Sequence, residues 1–142
     1  MNAITPDVRC VVLDTNIVLD LFVFKDAGVE PLAQALQSGA LRWLATQAMR
    51  EELERVLGYA HIASRLAPGE TSGPGVLALF DRYSQLVECA AGAGPVCEDP
   101  DDQKFIELAL AHGALLLSKD RAVLSLKDKL QTLGVTAAGS FP

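Results

Sequence analysis

The densest chemistry in the chain lies at Asp99-Pro100-Asp101-Asp102 and in the stretch behind it, Gln103 to Ala111. Pro100 suits the first position of a helix, which puts Asp99 at the N-cap and Asp102 third in the helix. Phe105, Ile106, Ala109 and Leu110 then share one apolar face. Asp102 precedes Phe105 and Ile106 by one helical turn, so it projects from the head of that face rather than toward water. Taken alone, such an acid is an ordinary cap that complements the helix dipole. Three further acids change its meaning. Asp14 follows directly on the run Arg9-Cys10-Val11-Val12-Leu13, and Asp120 follows closely on Ala114-Leu115-Leu116-Leu117. Glu52 lies at the edge of an apolar stripe made by Met49, Leu53, Val56 and Leu57, where a lone charge would be costly. Each acid also has a structural explanation, as a turn starter, a cap or a boundary residue.

Four carboxylates that converge repel one another and hold their protons unless a positive charge sits among them. The chain has two histidines and three cysteines without paired spacing. The suitable counter-charge is therefore a hard divalent ion bound through oxygen, Mg²⁺ or Mn²⁺. Such a site can activate water and stabilise in-line attack at phosphorus. No Ser-His-Asp or Cys-His arrangement competes, and His61 and His112 read as structural or solvated. Cys97 is a single thiol beside the acidic segment, weak support for zinc. A Gly-rich phosphate loop is absent, which argues against a nucleotide cofactor.

The elements that must position these acids alternate. Arg9 to Leu13 is a short, doubly buried strand of the parallel-sheet kind, and Ile17 to Phe24 an apolar segment, helical or extended. Glu30 to Gln37 predicts a helix closed by Ser38-Gly39, and Leu41 to Ala45 a second strand. Thr46 caps a helix that runs to Leu57, with Glu51 turned to its polar side. Pro68-Gly69 and Gly73-Pro74-Gly75 predict a mobile loop over about 59–75. A helix through Val76, Leu79, Phe80 and Tyr83 follows, then a strand at Leu86 to Ala90 and a turn at Ala91 to Pro95. Gly113 stops the Asp102 helix, Ala114 to Leu117 is a third buried strand, Ala122 to Leu130 is helical, and Val135 to Ala137 is an edge strand. This alternation defines an α/β domain with a mainly parallel sheet, and in such sheets ligands bind beyond the carboxyl ends of the strands.

The 142 residues carry a net charge of −6 and are 50% hydrophobic, which fits one globular domain over 1–142. Acidity argues against a broad basic nucleic-acid surface, though a local basic rim is compatible with it. No apolar run reaches membrane-spanning length, the first residues lack a signal-peptide pattern, and the odd cysteine count fits a reducing cytoplasm.

Val11-Val12-Leu13-Asp14-Thr15-Asn16, Glu51-Glu52-Leu53-Glu54-Arg55-Val56-Leu57, Asp99 to Phe105 and Leu116-Leu117-Ser118-Lys119-Asp120 together resemble the ordered motifs of PIN-domain ribonucleases. The similarity is closest to the toxin branch of toxin–antitoxin systems, related to VapC-like toxins, and covers about residues 9–140. Each motif is short, and the specificity lies in their order and spacing. The resemblance implies a three-layer α/β/α PIN-like domain that cleaves single-stranded RNA, with Mg²⁺ or Mn²⁺ held by Asp14, Glu52, Asp102 and Asp120. Asn16 and Ser118 would shape the site, and 5′-phosphate and 3′-hydroxyl ends would result. Ser118 and Lys119 stand where the family often has Thr and Gly. Lys104 and Lys119, with Lys25, Arg50 and Arg121, are candidate backbone contacts or simply solvated charges. Trp43 and Tyr59 could stack bases, although a tryptophan in a strand is more often core. Glu51 is the alternative to Glu52, and Asp99 or Asp101 could join or replace Asp102. The resemblance also implies a cognate antitoxin and a homodimer. The alternatives are a PIN-fold binding or assembly module with little activity, or a phosphotransfer domain, which the Asn at position 16 disfavours.

Overall fold

Short runs of Val, Leu and Trp, too apolar on both faces to meet water, pair edge to edge into one sheet. The computed structural model describes residues 8–66, 72–89 and 95–141. Its strands are β1 (Arg9–Leu13), β2 (Leu41–Ala45), β3 (Ser84–Leu86), β4 (Leu115–Leu117) and β5 (Ala137–Ala138), in the spatial order β3-β2-β1-β4-β5. All four pairings are parallel, with Val11 opposite both Trp43 and Leu115. Helices flank the sheet in a three-layer α/β/α arrangement.

The winding direction reverses between β1 and β4. Successive strands β1, β2 and β3 step one way, and β4 and β5 step the other. At such a switch point the connections leave in opposite directions and open a crevice beyond the carboxyl ends of the two central strands. Asp14 and Ser118 are the residues that follow those ends. The Asp14 N–H donates to the Leu117 carbonyl at 2.9 Å, which extends the β1–β4 ladder to the threshold of the crevice.

From β1 the chain enters α1 (Thr15–Leu19), which continues as a π-helical turn (Asp20–Phe24). Lys25 closes this turn in the left-handed conformation, φ 50°. A 3₁₀ turn (Ala27–Val29) leads to α2 (Glu30–Ser38), and Thr46 caps α3 (Gln47–Leu57) by accepting from the Met49 N–H. Asp99 accepts from the Asp101 N–H and starts the 3₁₀ turn Pro100–Asp102, which runs straight into α6 (Gln103–His112). Gly113 ends α6 at φ 58°, a left-handed position where a side chain is costly. After β4, Asp120 caps α7 (Arg121–Leu124), and α8 (Lys127–Thr132) returns the chain to β5.

The core is continuous across both sheet faces. Trp43 is buried, with Phe80 packed edge-on at 4.9 Å and Phe22 tilted at 6.1 Å, so it is a core residue rather than a stacking platform. Cys97 is buried, while Cys10 and Cys89 are half-buried against the core.

Four boundaries differ from those read in the sequence. Gly73-Pro74-Gly75 is not loop but the first turn of α5 (Gly73–Tyr83), with Ser72 accepting from the Gly75 N–H at 3.0 Å. Serine at the cap with proline just inside is a helix start, and that signal outweighs the glycines. Within the expected 59–75 loop, Ala60–Ala63 also forms one helical turn (α4) that buries Ile62, while 67–71 lie outside the described residues. Strand β3 falls at Ser84–Leu86 rather than Leu86 to Ala90, because α5 delivers the chain onto β2 at Ser84. Ala90 and the turn beyond it, but for Pro95, lie outside the described residues. Strand β5 is shifted to Ala137–Ala138, opposite Leu116 and Leu117.

Candidate metal centre

Asp14 at the end of β1, Asp102 at the head of α6 and Asp120 before α7 meet in the switch-point crevice. One carboxylate oxygen from each lies within 4.8 Å of the others. Asp14 and Asp102 are buried, at 4% and 6% exposure, and Asp120 is half-buried. The helical-face reasoning thus separates the neighbouring acids. Asp99 serves as the cap, and Asp101 lies exposed on the rim.

Ser118 fastens two of the three aspartates. Its side chain, fully buried, donates to Asp14 Oδ2 at 2.5 Å and accepts from the Asp120 N–H at 3.0 Å. Asp120 Oδ1 in turn accepts from the Ala122 N–H at 2.9 Å, which fixes its rotamer as a helix cap. Asp102 is treated differently. Its Oδ2 is buried without a hydrogen-bond partner among the described residues, an arrangement that costs about 1–3 kcal/mol unless something else fills it.

The electrostatics point the same way. Burial, a hydrogen bond with Asp120, and the carboxylates of Asp14, Asp120 and Asp99 push Asp102 from the ordinary 3.8 up to about 8. Asp14 is also raised, chiefly by burial, with the Ser118 and Asn16 hydrogen bonds pulling the other way. Among the described residues, no cationic side chain pairs with Asp14 or Asp102. A small hard cation with oxygen ligands fits both the unpartnered Asp102 oxygen and the all-carboxylate donor set.

Glu52 projects from α3 into the same crevice, whereas Glu51 is exposed and pairs with Gln47 along the helix. Both oxygens of Glu52 already have partners. Oε2 accepts a short hydrogen bond from the Thr15 hydroxyl, and Oε1 binds Lys104 Nζ at 2.6 Å. The Lys104 ammonium also donates to the Asp101 carbonyl. Lys119, beside Asp120, pairs with Asp20, a buried acid on the π-helical turn. Asn16 lines the crevice and is exposed.

The crevice is an open cleft of about 500 Å³. Its floor is acidic, its walls include Leu19, Phe24, Val56 and Ile62, and Arg55, Tyr59 and His61 lie along it. Of the candidate backbone contacts, Arg50 is held in a bidentate pair with Asp81 at 2.7 and 2.9 Å, away from the cleft. Sequence reading missed Thr15, Asp20 and Arg55. The signals were present: Asp20 is the one charge within the apolar run Ile17 to Phe24, and Arg55 lies one turn after Glu52 on α3.

A parallel α/β sheet with buried carboxylates at its switch point defines an acidic class of site suited to a hard cation. The chain belongs to the PIN-domain family, whose model matches residues 10–122. Among individual proteins, it is similar to Ribonuclease VapC9 of Archaeoglobus fulgidus, with 27% identity over 132 residues, covering 90% of this chain and 80% of the relative.

Proposed function

We propose that this chain is a metal-dependent endonuclease of single-stranded RNA, the toxin of a toxin–antitoxin pair. The observation that carries the reading is the convergence of Asp14, Asp102 and Asp120 around an Asp102 oxygen that is buried and unpartnered among the described residues. Mg²⁺ or Mn²⁺ would sit on these three aspartates, with Glu52 in the same acidic floor. Bound there, the ion supplies a water of lowered pKa and positive charge against the phosphate oxygens.

The protein's own contributions follow from the geometry. Ser118 holds Asp14 and Asp120 at fixed spacing, so the ligands need not reorganise on binding. The Asp102 carboxyl gives up its proton as the cation arrives, which makes binding stronger as pH rises toward 8. Arg55 and His61 line the cleft and would meet the RNA backbone, and Tyr59, 47% exposed, would stack on a base. Lys104 and Lys119 are already paired with Glu52 and Asp20, which supports a role in shaping the site rather than in gripping phosphate. The partners in this reading are RNA, a cognate antitoxin and a second copy of the chain, in the cytoplasm. Among the described residues, no helix is long and apolar enough to cross a membrane.

The test is cleavage of labelled single-stranded RNA in Mg²⁺ or Mn²⁺ by the wild-type protein and by Asp102→Asn, with and without EDTA. Wild-type cleavage that is lost on chelation and in the variant is the expected result. Equal cleavage by both proteins would overturn the assignment of Asp102. Metal binding without cleavage of any RNA would favour a binding module.

A further inference from the structure

We propose that the Lys104 ammonium stands in for a second divalent ion at Glu52, so that the acidic centre holds a single metal on Asp14, Asp102 and Asp120. The inference rests on the metal-centre reading above and fixes its stoichiometry.

Glu52 does not belong to the tight cluster. One oxygen each from Asp14, Asp102 and Asp120 converges within 4.8 Å, and Glu52 supplies none of them. Its two oxygens face opposite partners, Thr15 on one side and Lys104 on the other. Lys104 lines a neighbouring groove with Thr46, Gln47 and Glu107 and is not among the residues that line the cleft. Glu52 thus arrives at the cleft already neutralised. Its side chain is 14% exposed and that of Lys104 26%, so the pair is only weakly screened by solvent.

The placement of Lys104 is built into the fold. It lies one turn from Asp101 on the helix whose head carries Asp102, and its ammonium also binds the Asp101 carbonyl. The helix that presents the metal-facing aspartate therefore also presents the cation that occupies Glu52. Charge balance agrees. One divalent ion and one ammonium leave four carboxylates with a single net negative charge, whereas removing the ammonium leaves two and frees Glu52 Oε1 as an oxygen ligand.

The experiment counts Mn²⁺ bound per chain by titration with electron paramagnetic resonance detection of free ion, with folding checked by circular dichroism. Wild type, Lys104→Arg and Glu52→Gln should each bind about one Mn²⁺, and Lys104→Met about two. The double variant Lys104→Met/Glu52→Gln should return to about one, since the freed ligand is then gone. Two ions on the wild type would overturn the inference and leave the metal-centre reading intact. So would a single ion on folded Lys104→Met, or loss of all binding in Glu52→Gln, which would make Glu52 an obligatory ligand. If Lys104→Met does not fold, Lys104→Gln takes its place and should likewise bind about two Mn²⁺. No binding by the wild type would sink the metal-centre reading itself, and this inference with it.

Discussion

Replacing Asp102 by Asn should stabilise the metal-free protein while removing its affinity for the metal. The folded state raises this carboxyl from 3.8 to about 8. Between those values the folded protein keeps a proton that the unfolded chain has released, so stability falls as pH rises through the window and levels off above about 8. Asparagine resembles the protonated acid in shape and carries no such dependence. The gap between variant and wild type should be smallest near pH 4 and largest at pH 8 to 9. A shift from 3.8 to about 8 corresponds to at most about 6 kcal/mol at 1.36 kcal/mol per pH unit. Asp102 interacts with the neighbouring Asp120 carboxyl and opens on the cleft, so we expect roughly 2–3 kcal/mol. In a chain of this length that raises Tm by about 6–9 °C. Denaturation in EDTA at several pH values measures it directly. Stability curves that run parallel from pH 5 to 8.5 would refute the reasoning, as would a wild type more stable than the variant at pH 8.5. Adding Mn²⁺ at a hundredfold excess over its Kd should stabilise the wild type by about 2.7 kcal/mol and leave Asp102→Asn unmoved.

Two further perturbations probe the supports of the site. Ser118→Ala removes the bond to Asp14 and the acceptor for the Asp120 N–H at a fully buried position, and should cost about 1–3 kcal/mol. It should also raise the Asp14 carboxyl further, because Ser118 is the strongest influence holding it down. Calorimetry would then show Mn²⁺ binding weakened more at pH 6 than at pH 8. Lys119→Met leaves the buried Asp20 without its ion pair and should cost about 1–2 kcal/mol, given that Lys119 is half exposed. Asp20→Asn in the same chain should recover most of that loss. An unchanged urea midpoint in Lys119→Met would show that solvent already screens the pair.

The sequence by itself determined the order of elements and most of the acidic centre. The apolar runs Arg9 to Leu13 and Ala114 to Leu117 can only be buried strands, and an acid placed just beyond such a strand opens onto the ligand-binding edge of a parallel sheet. Helical periodicity favoured Asp102 over Asp101 and Glu52 over Glu51 while leaving the neighbours as alternatives, because local geometry decides which side of a helix a residue takes. Where the local signal was short, as at β3 and β5, tertiary pairing set the boundaries. The partners of the charged groups were decided only by the tertiary structure. Thr15 and Glu52 are 37 residues apart, Glu52 and Lys104 are 52 apart, and Asp14 and Ser118 are 104 apart. No local pattern encodes such a meeting, since it depends on which helix is laid against which strand end. The sequence could therefore gather four acids without showing that one already holds a cation. Burial by distant elements is also what pushes Asp102 up to about 8 and leaves its oxygen without a partner among the described residues, and those two properties make the cluster a candidate for a metal.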